Sequence, residues 1–113
     1  GFYEKKAQPD YAGTLHGGRS VYMEAKFTGS NRMEQSRVSP GQTEYLDEKM
    51  RLGAFCYVLA GFSHGGAYGI PWSVWRAMKE HYGRKYITEN DVMQYKIPRT
   101  TTGMLAILGT GKE

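Results

Sequence analysis

The chain has only one cysteine, Cys56, so no internal disulfide can hold it together and a reducing compartment is expected. Cys56 lies in the apolar run Ala54-Phe-Cys-Tyr-Val-Leu-Ala60, where a thiol is expected to pack as a small hydrophobe. No uninterrupted apolar stretch approaches the roughly 18 residues of a membrane span, and no charged-then-apolar signal segment opens the chain. The expectation is a soluble, cytoplasmic protein with no membrane contact. His16, His64 and His81 lack ligand spacing, which argues against a zinc site. Gly65-Gly66 lacks the Lys-Ser/Thr of a phosphate-binding P-loop. Acidic residues are in the minority, 11 against 15 Lys and Arg, giving a net charge of +4 and a pI of about 9.2. That bias favours an anionic partner such as nucleic acid without requiring one.

With 113 residues the chain fits one domain, taken as residues 1–113, and its start at Gly1 reads as a processed or trimmed end. Its 15 glycines and 9 tyrosines lean towards strands and tight turns. Strands are expected at Phe2 to Lys6, Asp10 to Leu15 and Ser20 to Lys26, with His16-Gly-Gly-Arg19 as a turn and Thr28 to Ser36 as a polar surface loop. Ser39-Pro-Gly-Gln42 predicts a helix opening, with Ser39 as N-cap, Pro40 at N1 and Gln42 closing a capping box. That helix should run to about Leu52 and end at Gly53. A buried central strand, Ala54 to Phe62, is followed by a turn at His64-Gly-Gly66 and a strand at Ala67 to Ile70. A helix from Val74 to Tyr82 comes next, then a short one opened by Thr88-Glu-Asn-Asp91 and stopped before Pro98. Thr102 to Leu108 is apolar and ambiguous. This order predicts a mixed α/β sandwich.

Pro9-Asp10 is followed, after thirteen residues, by Glu24-Ala25-Lys26. Residues two apart on a strand share a face, so Glu24 and Lys26 set a carboxylate beside an ammonium, and Asp10 can reach them from the neighbouring strand. Mg²⁺ is usually held by one or two carboxylates and keeps several waters, which leaves positions for a phosphate and an attacking water. The fragment acid-x-Lys is common and occurs here three times, at Glu4-Lys5-Lys6, Glu24-Ala25-Lys26 and Asp47-Glu48-Lys49. Asp47 and Lys49 fall in a predicted helix, where residues two apart do not share a face, and Glu4 has no acidic residue before it. The Glu24 pair combines an upstream Asp, a hairpin-sized gap and a strand. The competing reading is a solvated cross-strand ion pair, worth little.

Pro9-Asp10 with Glu24-Ala25-Lys26 resembles the signature of the PD-(D/E)XK nuclease superfamily. Within it the chain resembles the RecU-type Holliday junction resolvases of Firmicutes and their phages. That likeness rests on Asp10-Tyr-Ala-Gly13, Val21-Tyr-Met-Glu-Ala-Lys26, Gln42 in a helix opening, Gly53-Ala-Phe-Cys-Tyr-Val-Leu59, and Tyr82-Gly-Arg-Lys85 with Ile87, in order over residues 3 to 108. The resemblance implies a restriction-endonuclease-like fold, a central mixed sheet flanked by helices. It implies a Mg²⁺-dependent endodeoxyribonuclease, with Mn²⁺ substituting, that nicks opposing strands of a four-way junction as a homodimer in a bacterial cell or phage-infected host. Asp10 and Glu24, with the Ala25 carbonyl, would bind Mg²⁺. Lys26 would serve the attacking water, and Gln42 would orient groups near the metal, although its capping role alone also explains it. The chain departs from these resolvases in beginning at the first strand, without an N-terminal helix bearing a further acid, and in having no room for a stalk-like insertion in Lys6-Ala-Gln-Pro9. A compact phage-type enzyme or a trimmed domain fits that departure.

Lys5, Lys6, Arg32, Arg37, Arg84 and Lys85 are the candidate phosphate contacts, against the plain alternative of solvated charges. Two other functions stand beside the resolvase: a non-catalytic nucleic-acid-binding module of the same fold, and a restriction or repair nuclease of the same superfamily.

Overall fold

The computed structural model describes residues 8–63 and 66–98. The chain reverses at His16-Gly-Gly-Arg19, where Gly17 and Gly18 have φ of +98° and +91°, a backbone region that side-chain-bearing residues rarely adopt. This turn joins β1 (Tyr11–Thr14) to β2 (Ser20–Thr28) in an antiparallel pair that sets Tyr11 opposite Met23 and Thr14 opposite Ser20. β1 therefore covers only the first part of β2. From Glu24 onwards, β2 has no strand on that side among the described residues.

After β2 the chain forms α1 (Pro40–Arg51), started by the predicted capping box: Ser39 Oγ accepts from the Gln42 N–H at 3.1 Å, and Gln42 Oε1 accepts from the Ser39 N–H at 2.9 Å. α1 is the crossover that brings β4 (Phe55–Phe62) parallel to β2, with Glu24 opposite Val58 and Lys26 opposite Ala60. β5 (Ala67–Pro71) returns antiparallel to β4, and β7 (Lys96–Ile97) closes a five-stranded sheet in the order β1-β2-β4-β5-β7. The mixed sheet flanked by helices is as expected.

Local reading failed in three places. The polar segment Thr28 to Ser36, expected as a loop, contains β3 (Arg32–Glu34), which pairs antiparallel with β6 (Tyr86–Thr88) and runs into a 3₁₀ turn at Gln35–Arg37. Neither three-residue strand carries much periodicity. Their pairing is set by two buried side chains from distant parts of the chain, Met33 and Ile87, which lie opposite each other. The helix expected from Val74 starts earlier and breaks. α2 (Trp72–Arg76) and α3 (Met78–Tyr82) are separated by Ala77 at φ −99°, ψ +34°, and burial of Trp72, Trp75 and Met78 directs this course. The Thr88 capping box is present, but it opens a 3₁₀ segment, Glu89–Tyr95, that leads into β7. The expected strand Phe2 to Lys6, the His64-Gly65 part of the turn and the stretch Thr102 to Leu108 lie outside the described residues.

The core fills one face of the sheet. Cys56, Val58, Ala60 and Phe62 of β4 and Tyr68 and Ile70 of β5 meet Leu46 of α1, Trp72, Trp75 and Met78. The opposite face carries Val21 and Met23, both buried, and then Phe27, whose ring lies over Gly61; a Cβ there would stand 2.5 Å from the ring, so glycine is what the contact allows. No helix among the described residues is long and apolar enough to cross a membrane.

Candidate active site

Register explains why one carboxylate is buried. Glu24 on β2 lies opposite Val58, which lies opposite Ile70, so the acid sits in a row of apolar partners on the core face and is only 2 % exposed. Removing a carboxylate from water disfavours its charged form. The Glu24 pKa is accordingly pushed up to about 7, first by burial, then by the Asp10 carboxyl bonding to it and repelling its charge, with the Lys26 ammonium pulling the other way.

Asp10 is held in the step just before β1. Its Oδ2 accepts from the Ala25 N–H at 2.9 Å, a bond possible because β2 has run past the end of β1. Gln42 completes the arrangement from α1, its Nε2 donating to Glu24 Oε1 at 3.2 Å while its Oε1 caps Ser39. One amide thus closes the capping box with its oxygen and contacts Glu24 with its nitrogen. Asp10, Glu24, Lys26 and Gln42 converge from a loop, a strand and a helix. The Asp47 to Lys49 fragment divides as helix geometry requires: Asp47 accepts from the Trp72 indole N–H at 2.7 Å and pairs with Arg76 at 3.1 Å, whereas Lys49 faces Tyr22 and Tyr45.

The donor set suits a hard divalent cation. Two carboxyls crowd together in a partly dry setting, one of them with its pKa raised to about 7, and a cation between them would relieve both desolvation and repulsion. No group of three or more His, Cys, Asp or Glu with metal-binding geometry occurs among the described residues. Two carboxyls match Mg²⁺, which commonly takes one or two and completes its shell with water and phosphate oxygen.

The basic residues proposed from the sequence are dispersed. Arg84 is bound within the fold, 2.5 Å from Asp91 and 2.7 Å from the Tyr82 carbonyl. Arg32 pairs with Glu34 at 3.4 Å and lies over the Tyr86 ring, and Arg37 donates to the Phe27 carbonyl at 2.7 Å. Lys85 is exposed, and Lys5 and Lys6 lie outside the described residues. Sequence reasoning passed over Tyr22, Tyr45 and Lys49, which adjoin the acid pair. The signal was there: Tyr22 is two strand positions from Glu24, and Tyr45 is three helix positions from Gln42.

A five-stranded mixed sheet flanked by helices is compatible with a restriction-endonuclease-like fold. Within that class the match is specific: the model of the RecU family, recombination protein U, covers residues 1–109, and the chain belongs to that family. It is a family of Holliday junction resolvases, nucleases that act on recombining DNA. No curated protein sequence matches the chain.

Proposed function

We propose that the chain is a Mg²⁺-dependent endonuclease that resolves four-way DNA junctions by paired symmetric nicks, working as a homodimer on a two-fold symmetric substrate. The observation that carries the reading is the meeting of Asp10, Glu24 and Gln42 beside Lys26, with Glu24 buried and its pKa raised to about 7. Asp10, Glu24 and the Ala25 carbonyl would hold Mg²⁺, or Mn²⁺ in its place. When bound, the ion supplies positive charge to a phosphate oxygen and lowers the pKa of water.

The chain's own residues provide the rest. The Ala25 N–H fixes the direction of Asp10, and Gln42 fixes Glu24 from the opposite side, so both carboxyls are oriented before substrate arrives. The apolar row of Val58 and Ile70 excludes water behind Glu24. Lys26, two strand positions on, offers an ammonium to orient the attacking water or to meet charge that grows on the phosphate oxygens as the bond breaks.

The test is cleavage of a labelled four-way junction and a matched linear duplex in Mg²⁺ by the wild type, Lys26→Ala and Asp10→Asn. Paired nicks confined to the junction, absent in both variants, are the expected result. Binding without cutting under any divalent ion would leave a non-catalytic binding module, and equal cutting of the duplex would indicate a nuclease of other specificity.

A further inference from the structure

Between β1 and α1 the core-bearing face of the sheet is left uncovered by the described residues. Cross-strand partners share a face, so Ala12, opposite Tyr22, lies on the floor of this opening with the exposed Thr14 further along it. Gln42, Tyr45 and Lys49 sit at helical spacing of three and four residues and form its wall. Gln42 holds Glu24 at one end. Further along, Tyr22 and Tyr45 pack edge to face with centroids 5.8 Å apart, and the Lys49 ammonium stands 5.3 and 5.2 Å from the two rings. Beyond them a cavity of about 280 Å³ is lined by Arg19, Tyr22, Lys49 and Leu52, among others.

Among the described residues Asp47 pairs with Arg76 and Glu48 lies 4.0 Å from Arg51, while Lys49 stands against the tyrosine rings. An ammonium held by ring faces keeps N–H donors free for an oxyanion. From Glu24 to Tyr22 is two strand residues, about 7 Å, equal to the axial rise of about two base steps of DNA.

We propose that this trough seats the DNA strand on one side of the scissile phosphate, with Lys49 binding a phosphate a few nucleotides from the cut and Tyr22 and Tyr45 holding Lys49 in place. The inference rests on the nuclease reading and extends it to the path of the substrate. It places the main phosphate contact of this side on the residue set aside as a chance acid-x-Lys match, and not on Arg84, which is committed to Asp91.

The test is junction binding by full-length wild type, Lys49→Ala and Lys49→Arg, without divalent ion, across a series of salt concentrations. Lys49→Ala is expected to weaken binding several-fold and to reduce the slope of log K against log salt by about one, while Lys49→Arg restores the slope. Neutral methylphosphonates placed one at a time along the strand should reveal one phosphate whose neutralisation weakens wild type and leaves Lys49→Ala unaffected. Thermal melting separates a contact from a brace, since a purely structural Lys49 would lower the melting temperature and leave the slope unchanged. An unchanged slope, or the same methylphosphonate pattern in wild type and Lys49→Ala, overturns the inference while the nuclease reading stands. A wild type that binds no DNA removes both.

Discussion

The chain opens two segments with the same device and uses it for different ends. At Ser39 the capping box is closed by Gln42, whose amide continues to Glu24; at Thr88 it is closed by Asp91, whose carboxyl continues to Arg84. Both boxes satisfy backbone N–H groups that a helix start leaves unpaired. They differ in the third partner. Gln42 reaches a buried acid with a perturbed pKa, a group that costs stability. Asp91 reaches a cation and gathers bonds from Thr88 N, Thr88 Oγ1 and Arg84. One box thus reaches into the candidate site and the other into a structural ion pair, and only the tertiary neighbour distinguishes them.

The sharpest test of this contrast is Glu24→Gln. On the proposed function cleavage should fall by about 10³ or more, since a metal ligand is lost. Stability should move the other way. The Glu24 pKa is about 7 in the fold against an ordinary 4.5, so the folded chain prefers the neutral acid. The metal-free protein therefore loses stability as pH rises from about 4.5 to about 7. Above pH 7 Glu24→Gln should be more stable by on the order of 3 kcal/mol, and below pH 4.5 the difference should vanish. Urea unfolding at pH 4 and pH 8 checks both limits.

Asp91→Ala should cost about 2–3 kcal/mol, because a cap and a half-buried ion pair go together, while the folded fraction cuts at the wild-type rate. If it slowed cleavage as much as it destabilised the fold, the contrast between the boxes would collapse. Gln42→Ala should show the opposite balance, about 1 kcal/mol of stability but a 10- to 100-fold loss of cleavage, as expected for a residue that orients a ligand. Ser39→Ala should be the mildest, costing about 1 kcal/mol with little effect on cleavage, and melting curves recorded with cleavage rates on the same samples separate the two quantities.

Both boxes were readable in the sequence, as were the β1–β2 turn, α1 and the central strand, because each depends on neighbours a few residues away. Asp10 and the Glu24 to Lys26 pair were readable through spacing and family resemblance. What could not be read was the long-range pairing: β3 with β6, and the break at Ala77 under two buried tryptophans; the nearness of Gln42 to Glu24 was expected from family resemblance alone. The same limit hides which basic residues are already engaged within the fold, since Arg84 is as basic in sequence as Lys49 and only the fold shows that Asp91 holds it.

The place where β2 outruns β1 has a consequence for how molecules of this chain meet one another. A strand edge with free N–H and C=O groups invites strands from other copies and so promotes aggregation. Here the first N–H past the overlap is occupied by Asp10, and a half-buried lysine follows one residue later. The carboxylate proposed as a metal ligand also plugs this edge of the sheet, so a chain stripped of it is expected to grow stickier.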